Sequence, residues 1–343
     1  MIIPFFIPHA GCPHQCVFCD QKRITGKGAA PDPADVTGTI RSYLASQHRG
    51  RDAQQPEPAQ VAFYGGSFTA IPADDQRAYL EAVQPFIDGG AVEGIRVSTR
   101  PDRISAGILA LLRQYRVTTV ELGIQSLDDE VLRLSGRGHS AEDSVNAAVL
   151  LRQQGFQMGL QLMPGLPGDS AECFRRTVRQ VIALHPDFVR IYPAVVITGT
   201  PLEALYRSGR YVPLSLEDAV AWCRNAVTAF ADAGIEVIRM GLQPTKELER
   251  PGTVAAGPFH PAFGQLVASS LYLEMMRKAL AGKQEQVVRV HPHDLSTALG
   301  QRRYNLAILR GEFGPAVAIL PDPSVPRGES RTHDTCTVPA HGL

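Results

Sequence analysis

Apolar and polar positions fall into short blocks along this chain, and their period switches between that of a strand and that of a helix. Apolar runs at 2–7, 60–64, 94–98, 118–123, 156–163 and 187–192 have strand length. Between them, 35–47, 74–86, 104–115, 141–155 and 171–184 carry helical spacing. In the third of these helices Ile104, Ile108, Leu111 and Leu112 share one face, and Gly155 is a stop signal for the fourth. Strand ends near 64, 98, 123, 163 and 193 recur at about the length of a β–α unit. The pattern predicts an α/β chain whose parallel strands form an open sheet or a partial (β/α)6 barrel over 1–193.

Beyond Tyr192 the rhythm breaks. Helices are predicted over 202–208, 216–233 and 263–280, and strands over 235–240, 286–290 and 316–320. These segments read as an α+β extension over 194–320, packed on the barrel. The stretch 321–343 is rich in Pro, Gly, Ser, Thr and His, and reads as a disordered tail.

Composition narrows the class. The 34 Lys and Arg residues balance 34 Asp and Glu, so no global field draws in a polyanion, although a local patch remains open. The start Met1-Ile2-Ile3-Pro4-Phe5-Phe6-Ile7-Pro8 is short, lacks a basic segment and contains prolines, so it is not expected to be a signal peptide. No apolar run has the length of a membrane span. Six cysteines, three of them clustered, point to the reducing cytoplasm.

The clustered thiols are the main chemical feature. His9-Ala10-Gly11-Cys12-Pro13-His14-Gln15-Cys16-Val17-Phe18-Cys19-Asp20 spaces Cys12, Cys16 and Cys19 as C-x3-C-x2-C, directly after the first strand. A loop so tight cannot form useful disulfides among its own thiols, but it can converge three thiolates on iron–sulfur or zinc. Zinc would want a fourth ligand, for which His9 or His14 could serve. A four-iron cluster on three cysteines keeps one iron open.

Other candidates follow the remaining strands, where barrel enzymes place their chemistry. Gly65-Gly66-Ser67 lets backbone approach a ligand closely, or is simply a tight turn. In Ser98-Thr99-Arg100-Pro101-Asp102, Arg100 could meet a carboxylate or pair with Asp102. Glu121 and Gln125 share a face and could hold ribose hydroxyls, or belong to a structural network. Arg137-Gly138-His139-Ser140 reads as a turn capped by Ser140, with His139 open. Met163 and Gly165, in Met163-Pro164-Gly165-Leu166-Pro167-Gly168, suit an apolar wall with free backbone groups, as adenine sites often have. Tyr192 could donate a hydrogen or merely pack, and Arg190 ends the same strand. His260, in Gly257-Pro258-Phe259-His260-Pro261-Ala262-Phe263-Gly264, is a candidate for substrate contact or for helix capping. Lys22, Arg23 and Lys27 could grip a phosphate or form a solvated basic loop.

The cysteine spacing, with aromatic Phe18 before the last thiol, resembles the signature of radical S-adenosylmethionine (SAM) enzymes. The ordered series resembles the radical SAM domain of the Elongator catalytic subunit family over roughly residues 4–242. It runs through Gly65-Gly66-Ser67-Phe68, Thr99-Arg100-Pro101-Asp102, Glu121-Leu122-Gly123-Ile124-Gln125-Ser126, Arg137-Gly138-His139 and Met163 to Gly168. Ile191-Tyr192-Pro193, Gly199-Thr200 and Ser208-Gly209-Arg210-Tyr211 continue it.

The resemblance implies a partial barrel holding a [4Fe-4S] cluster on Cys12, Cys16 and Cys19, with SAM chelated at the open iron. Gly65-Gly66-Ser67 would hold the SAM amino group, with Ser67 standing where many relatives carry Glu or Thr. An external donor such as flavodoxin or ferredoxin would supply one electron. SAM would then give a 5′-deoxyadenosyl radical that abstracts hydrogen, with a tRNA base as the implied substrate. Three departures bear on that substrate. The chain is expected to lack the family's acetyltransferase domain, its basic RNA-binding segment and its second cysteine cluster. A small metabolite or a peptide is the alternative substrate, and a zinc-binding module is the non-enzymatic one.

Overall fold

Seven strands pair side by side, all parallel, in the computed structural model, which describes residues 1–47, 59–283, 286–332 and 337–339. Six follow chain order: β1 (Ile2–Phe6), β2 (Ala59–Tyr64), β3 (Val92–Thr99), β4 (Val117–Gln125), β5 (Gln157–Leu162) and β6 (Phe188–Ile191). The chain next makes β7 (Val196–Ile197) and the helix Leu216–Asp232. It then returns with β8 (Glu236–Met240), which pairs parallel with β6. β9 (Val254–Ala256) pairs antiparallel with β7 beside the barrel.

These strands form because both faces are buried. Val61 and Phe63 of β2, Ile95 and Val97 of β3, and Val120 and Leu122 of β4 join the core cluster with the surrounding helices. The alternate residues turn the other way and are polar: Gln60, Arg96, Thr119 and Glu121 are all at most 8% exposed. Their mutual bonds show that the sheet is curled. Arg190 of β6 reaches Tyr64 of β2 at 3.0 Å and Glu121 of β4 at 3.1 Å, across strands that are not neighbours. Helix starts are set by side-chain caps, as at Ser105, Ser140, Ser170, Thr200 and Ser215; Ser140 and Asp143 form a reciprocal capping box.

Several expectations change. The helix predicted over 74–86 is two helices, Ala73–Glu81 and Gln84–Asp88. Pro85 near the start of the second explains the break, since it has no N–H to continue a helix. The strand predicted over 235–240 belongs to the barrel, so the division at 193 does not hold. Without β8, strand β6 would be an edge with its outer ladder unpaired.

The extension carries a second sheet, in the order β11-β10-β12-β13: β10 is Val287–Val290, β11 Ala318–Pro321, β12 Glu329–Arg331 and β13 Thr337–Pro339. Helix Phe263–Leu280 joins the two units. Phe263, Val267 and Leu271 pack in the barrel core, whereas Tyr272, Met276 and Leu280 pack with Val288, Val290, Leu309 and Val317. The stretch read as a tail is ordered over 321–332. Val325 and Ser330 are buried there, and Arg327 pairs with Asp294 at 2.6 Å. Residues 333–336 and 340–343 of that stretch lie outside the described residues. No helix among the described residues is long and apolar enough to cross a membrane.

Candidate active site

The cysteine loop is seated backbone to backbone on the loop after β2. Gly11 and Gly66 have φ of +70° and +56°, a region glycine enters freely. A Cβ on Gly66 would overlap the carbonyl oxygens of Ala10 and Ile7, and one on Gly11 would overlap the carbonyl of Ser67. The Ser67 N–H donates to the Ala10 carbonyl at 2.7 Å. Gln21 pins the same junction: its Oε1 accepts from the N–H of His9 at 2.6 Å and of Gly66 at 2.8 Å. In return the Gln21 N–H donates to His9 Nε2 at 3.1 Å, so that nitrogen is taken up within the loop.

Cys12, Cys16 and Cys19 all line one cavity of about 590 Å³ inside the barrel mouth. Burial, then the neighbouring Cys16 and Cys12, push the Cys19 thiol up to about 12. Burial and Cys16 also raise Cys12, while Arg100 and Arg137 pull it down. Neighbouring thiols thus oppose the ionisation of Cys12 and Cys19, and a cationic guest would reverse the sign of that interaction. Arg137, 7% exposed, donates from Nη1 to Cys16 Sγ at 3.2 Å and from Nη2 to the Gly123 carbonyl. Gly138 lets the His14 ring lie directly on the backbone.

Deeper in the cavity, Glu121 is clasped by Arg96 at 2.8 Å and Arg190 at 3.1 Å. Arg96 is braced by Gln60 Oε1 at 2.8 Å and lies over the Phe188 ring. Arg190 donates to Tyr64 Oη at 3.0 Å and to Tyr192 Oη at 3.4 Å. Burial lifts both phenols above the ordinary tyrosine range, although Arg190 opposes it, so both keep their protons near neutrality. Burial disfavours the Arg190 charge, but Glu121 and the two tyrosines outweigh it and hold that guanidinium charged.

Most sequence candidates meet here. Phe18, Gly65, Gly66, Ser98, Arg100, Glu121, Gln125, Met163 and Tyr192 line the same cavity as the thiols. Arg100 lies on the wall, but Nε and Nη2 grip Asp102 at 2.9 and 3.2 Å, and Nη2 also donates to the Arg137 carbonyl at 2.6 Å. Gln125 has φ of +67°, and its Oε1 accepts from Gln161 at 3.1 Å.

Three candidates stand off the wall. Ser67 is fully buried with its hydroxyl on Thr99 Oγ1 at 2.9 Å, because the loop turns it under the sheet. Gly165 spends its N–H on Asp169 at 2.8 Å and its carbonyl on Tyr211 at 2.6 Å. His260 accepts from the Ala262 N–H at 3.0 Å on Nδ1, which orders the turn into helix Phe263–Leu280. Of the basic residues, Arg23 is held by the Thr198 carbonyl at 2.6 Å and by Asp20, whereas Lys22 faces an outer recess of about 540 Å³ beside the cysteine loop.

Sequence reasoning missed Gln21, Tyr64, Arg96 and Arg239, and gave Arg137 only a turn. The period of two along β3 places Arg96 on the face of Ser98, a signal that was there to read.

Residues 6–181, just over half of the chain, match the family model of the Radical SAM superfamily, and residues 186–272 match the Radical_SAM C-terminal domain. The chain is 29% identical over 245 residues to the tRNA uridine(34) acetyltransferase of Methanocaldococcus infernus, covering 62% of this chain and 46% of that protein. It is 24% identical over 330 residues to Elongator complex protein 3 of Mus musculus, covering 84% of this chain and 59% of that one. This chain therefore spans about half the length of the curated relatives it matches. In fold it resembles the archaeal Methanocaldococcus infernus Elp3 with an N-terminal deletion, at a TM-score of 0.60 and 22% identity over 81% of this chain and 62% of that one. With the parallel half-barrel and its thiol-lined mouth, the matched family model gives the conclusion that the chain belongs to the radical SAM superfamily.

Proposed function

We propose that Cys12, Cys16 and Cys19 hold a [4Fe-4S] cluster, that SAM occupies the adjoining cavity, and that the protein abstracts hydrogen from a tRNA base. The observation that carries this reading is the sharing of one cavity by the three thiols and the Gly65-Gly66 turn. A lone zinc ion would want a fourth protein ligand, whereas a four-iron cluster on three thiolates keeps one iron open. His9, a candidate fourth zinc ligand, already uses Nε2 within the loop.

When bound, cluster and SAM together supply a 5′-deoxyadenosyl radical, at the expense of one electron from an external donor such as flavodoxin or ferredoxin. The chain's own residues bind, orient and insulate. The cysteines would ligate three irons, Arg137 supports the Cys16 sulfur, and the Gly65-Gly66 turn lines the wall where the SAM amino group would lie. Phe18 and Met163 give apolar walls for the adenosine. Tyr192, protonated and pinned by Arg190, is placed to exchange a hydrogen atom with a bound molecule.

The name tRNA uridine(34) acetyltransferase, borne by relatives such as that of Methanocaldococcus infernus, supports tRNA as substrate, and Lys22 at the outer recess gives a basic group near the mouth. A cavity of about 590 Å³ also falls in the range of ordinary small-molecule sites, which favours a metabolite or peptide as the second reading. The test is 5′-deoxyadenosine release by the anaerobically reconstituted protein with SAM and reductant. A rise with bulk tRNA from a strain lacking the gene, absent in Cys16→Ala, is the expected result. Release that ignores tRNA moves the substrate to the second reading, and no release from iron-loaded protein overturns both.

A further inference from the structure

The cavity holds more positive charge than its carboxylates balance. Arg100, Arg137, Arg190 and Arg239 line it, against the single carboxylate of Glu121. Three of the four guanidinium groups are committed. Arg100 is bound to Asp102, Arg190 to Glu121, and Arg137 to Cys16 and the Gly123 carbonyl. Arg239 differs: the bond seen for it is from Nη2 to the neutral Gln243 Oε1 at 2.8 Å, and no carboxylate among the described residues pairs with it. It is half-buried on β8 and acts electrostatically on Tyr192. A guanidinium that lines the cavity without a carboxylate partner has donors free for an oxyanion.

Its position differs from theirs. Arg137 donates to Cys16 Sγ and its carbonyl accepts from Arg100, so both lie beside the thiol loop, beyond the ends of β3 and β4. Arg239 sits on the edge strand opposite β1. Those two edge strands flank the open side of the half-barrel, with Ile2, Pro4 and Phe6 on one lip and Arg239 and Gln243 on the other. Thr245 donates to the Ile24 carbonyl at 3.2 Å and straps the gap at one end.

We propose that Arg239, with Gln243 beside it, is the oxyanion subsite of the substrate, receiving a phosphate or carboxylate group as the molecule enters between β1 and β8. This deepens the proposed function and rests on it for the identity of the neighbouring chemistry. A phosphate would come from the RNA backbone beside the target base, and a carboxylate from a small metabolite.

The reconstituted protein and its Arg239→Gln, Arg239→Lys and Gln243→Ala variants are compared. Three bindings are measured: SAM, bulk tRNA as a function of salt, and inorganic phosphate or succinate followed by thermal shift. SAM binding is expected to be unchanged in all variants. If the source is phosphate, Arg239→Gln loses about tenfold in tRNA affinity and its log–log salt slope falls by about 0.7–0.9, the value of one phosphate contact. The thermal shift with phosphate also disappears, and Arg239→Lys keeps most of both. If the source is a carboxylate, tRNA binding is untouched and the succinate shift disappears. Loss of SAM binding in Arg239→Gln, or equal responses to every probe, overturns the proposal. Should Arg239→Gln fold poorly, Gln243→Ala removes the brace and is expected to weaken the same responses about threefold. If wild-type protein ignores tRNA altogether, the RNA reading fails while the phosphate and succinate shifts still decide the role of Arg239.

Discussion

The Arg137 guanidinium donates to the sulfur of Cys16 at 3.2 Å while its own backbone carbonyl accepts from Arg100 at 2.6 Å. One residue thus links the thiol loop to the ends of β3 and β4. Hydrogen bonds to ligand sulfurs raise the potential of an iron–sulfur centre by stabilising its more negative state. Arg137→Gln is expected to lower the midpoint potential of the reconstituted protein by about 60 mV, one decade for one electron. Redox titration followed by electron paramagnetic resonance measures this, and an unchanged potential in an iron-loaded variant contradicts it.

Glu121 sits between Arg96 and Arg190 with 4% exposure. Glu121→Gln leaves two buried guanidinium groups facing a neutral amide. Breaking such an arrangement by removing one partner costs about 3–5 kcal/mol. Chemical unfolding of the variant should show a loss of this order, and a loss under 1 kcal/mol would mean that water reaches these groups freely.

Gly66 and Gly155 both occupy left-handed backbone, at φ of +56° and +70°. A Cβ on Gly66 meets two carbonyl oxygens of the cysteine loop, whereas one on Gly155 meets nothing within 4 Å. Gly155→Ala is expected to cost about 1 kcal/mol and leave iron content intact. Gly66→Ala is expected to unseat the cysteine loop and cut bound iron by more than half, while the fold survives. Iron and sulfide assays with circular dichroism compare the two.

Burial, then Arg137 and Arg100, push His139 down to about 4, with Asp102 acting in the opposite direction. The unfolded chain binds a proton near pH 6.5 that the folded chain refuses until about pH 4. Between those values the unfolded state carries more protons, so stability rises with pH across this window and is lost as pH falls through it. The loss is expected to be of the order of 1–3 kcal/mol. His139→Gln should flatten the profile between pH 6.5 and 4. Acid unfolding below that window should persist, since Asp128 and Asp143 have lowered values of their own and lose their contribution only there.

Much of the barrel was legible because β/α units are punctuated locally. Each strand carries buried apolar positions, and the later crossover helices begin at a capping serine, as at Ser105, Ser140 and Ser170. Chemistry at strand ends followed from the same punctuation, which is why Cys12, Gly65, Glu121 and Tyr192 were found together. Side-chain direction within a loop has no such period. Ser67 and Gly165 belong to the right loops but turn to Thr99, Asp169 and Tyr211 instead of the cavity. Sheet membership was hidden as well: the run 235–240 read as a strand, but nothing local ties it to β6. Composition misled at 321–332, where Pro and Gly shape the turns of a strand that pairs with β10.

The late arrival of β8 has a consequence for the newborn chain. The ribosome delivers the cysteine loop first, and its neighbouring strand β2 (Ala59–Tyr64) only about forty residues later. The far wall follows only once residue 240 has emerged, and parallel pairing across such separations is slow. Through most of synthesis the three thiols therefore stand in a trough that lacks its far wall. β8 completes the sheet last, and with it comes Arg239 on the lip facing β1.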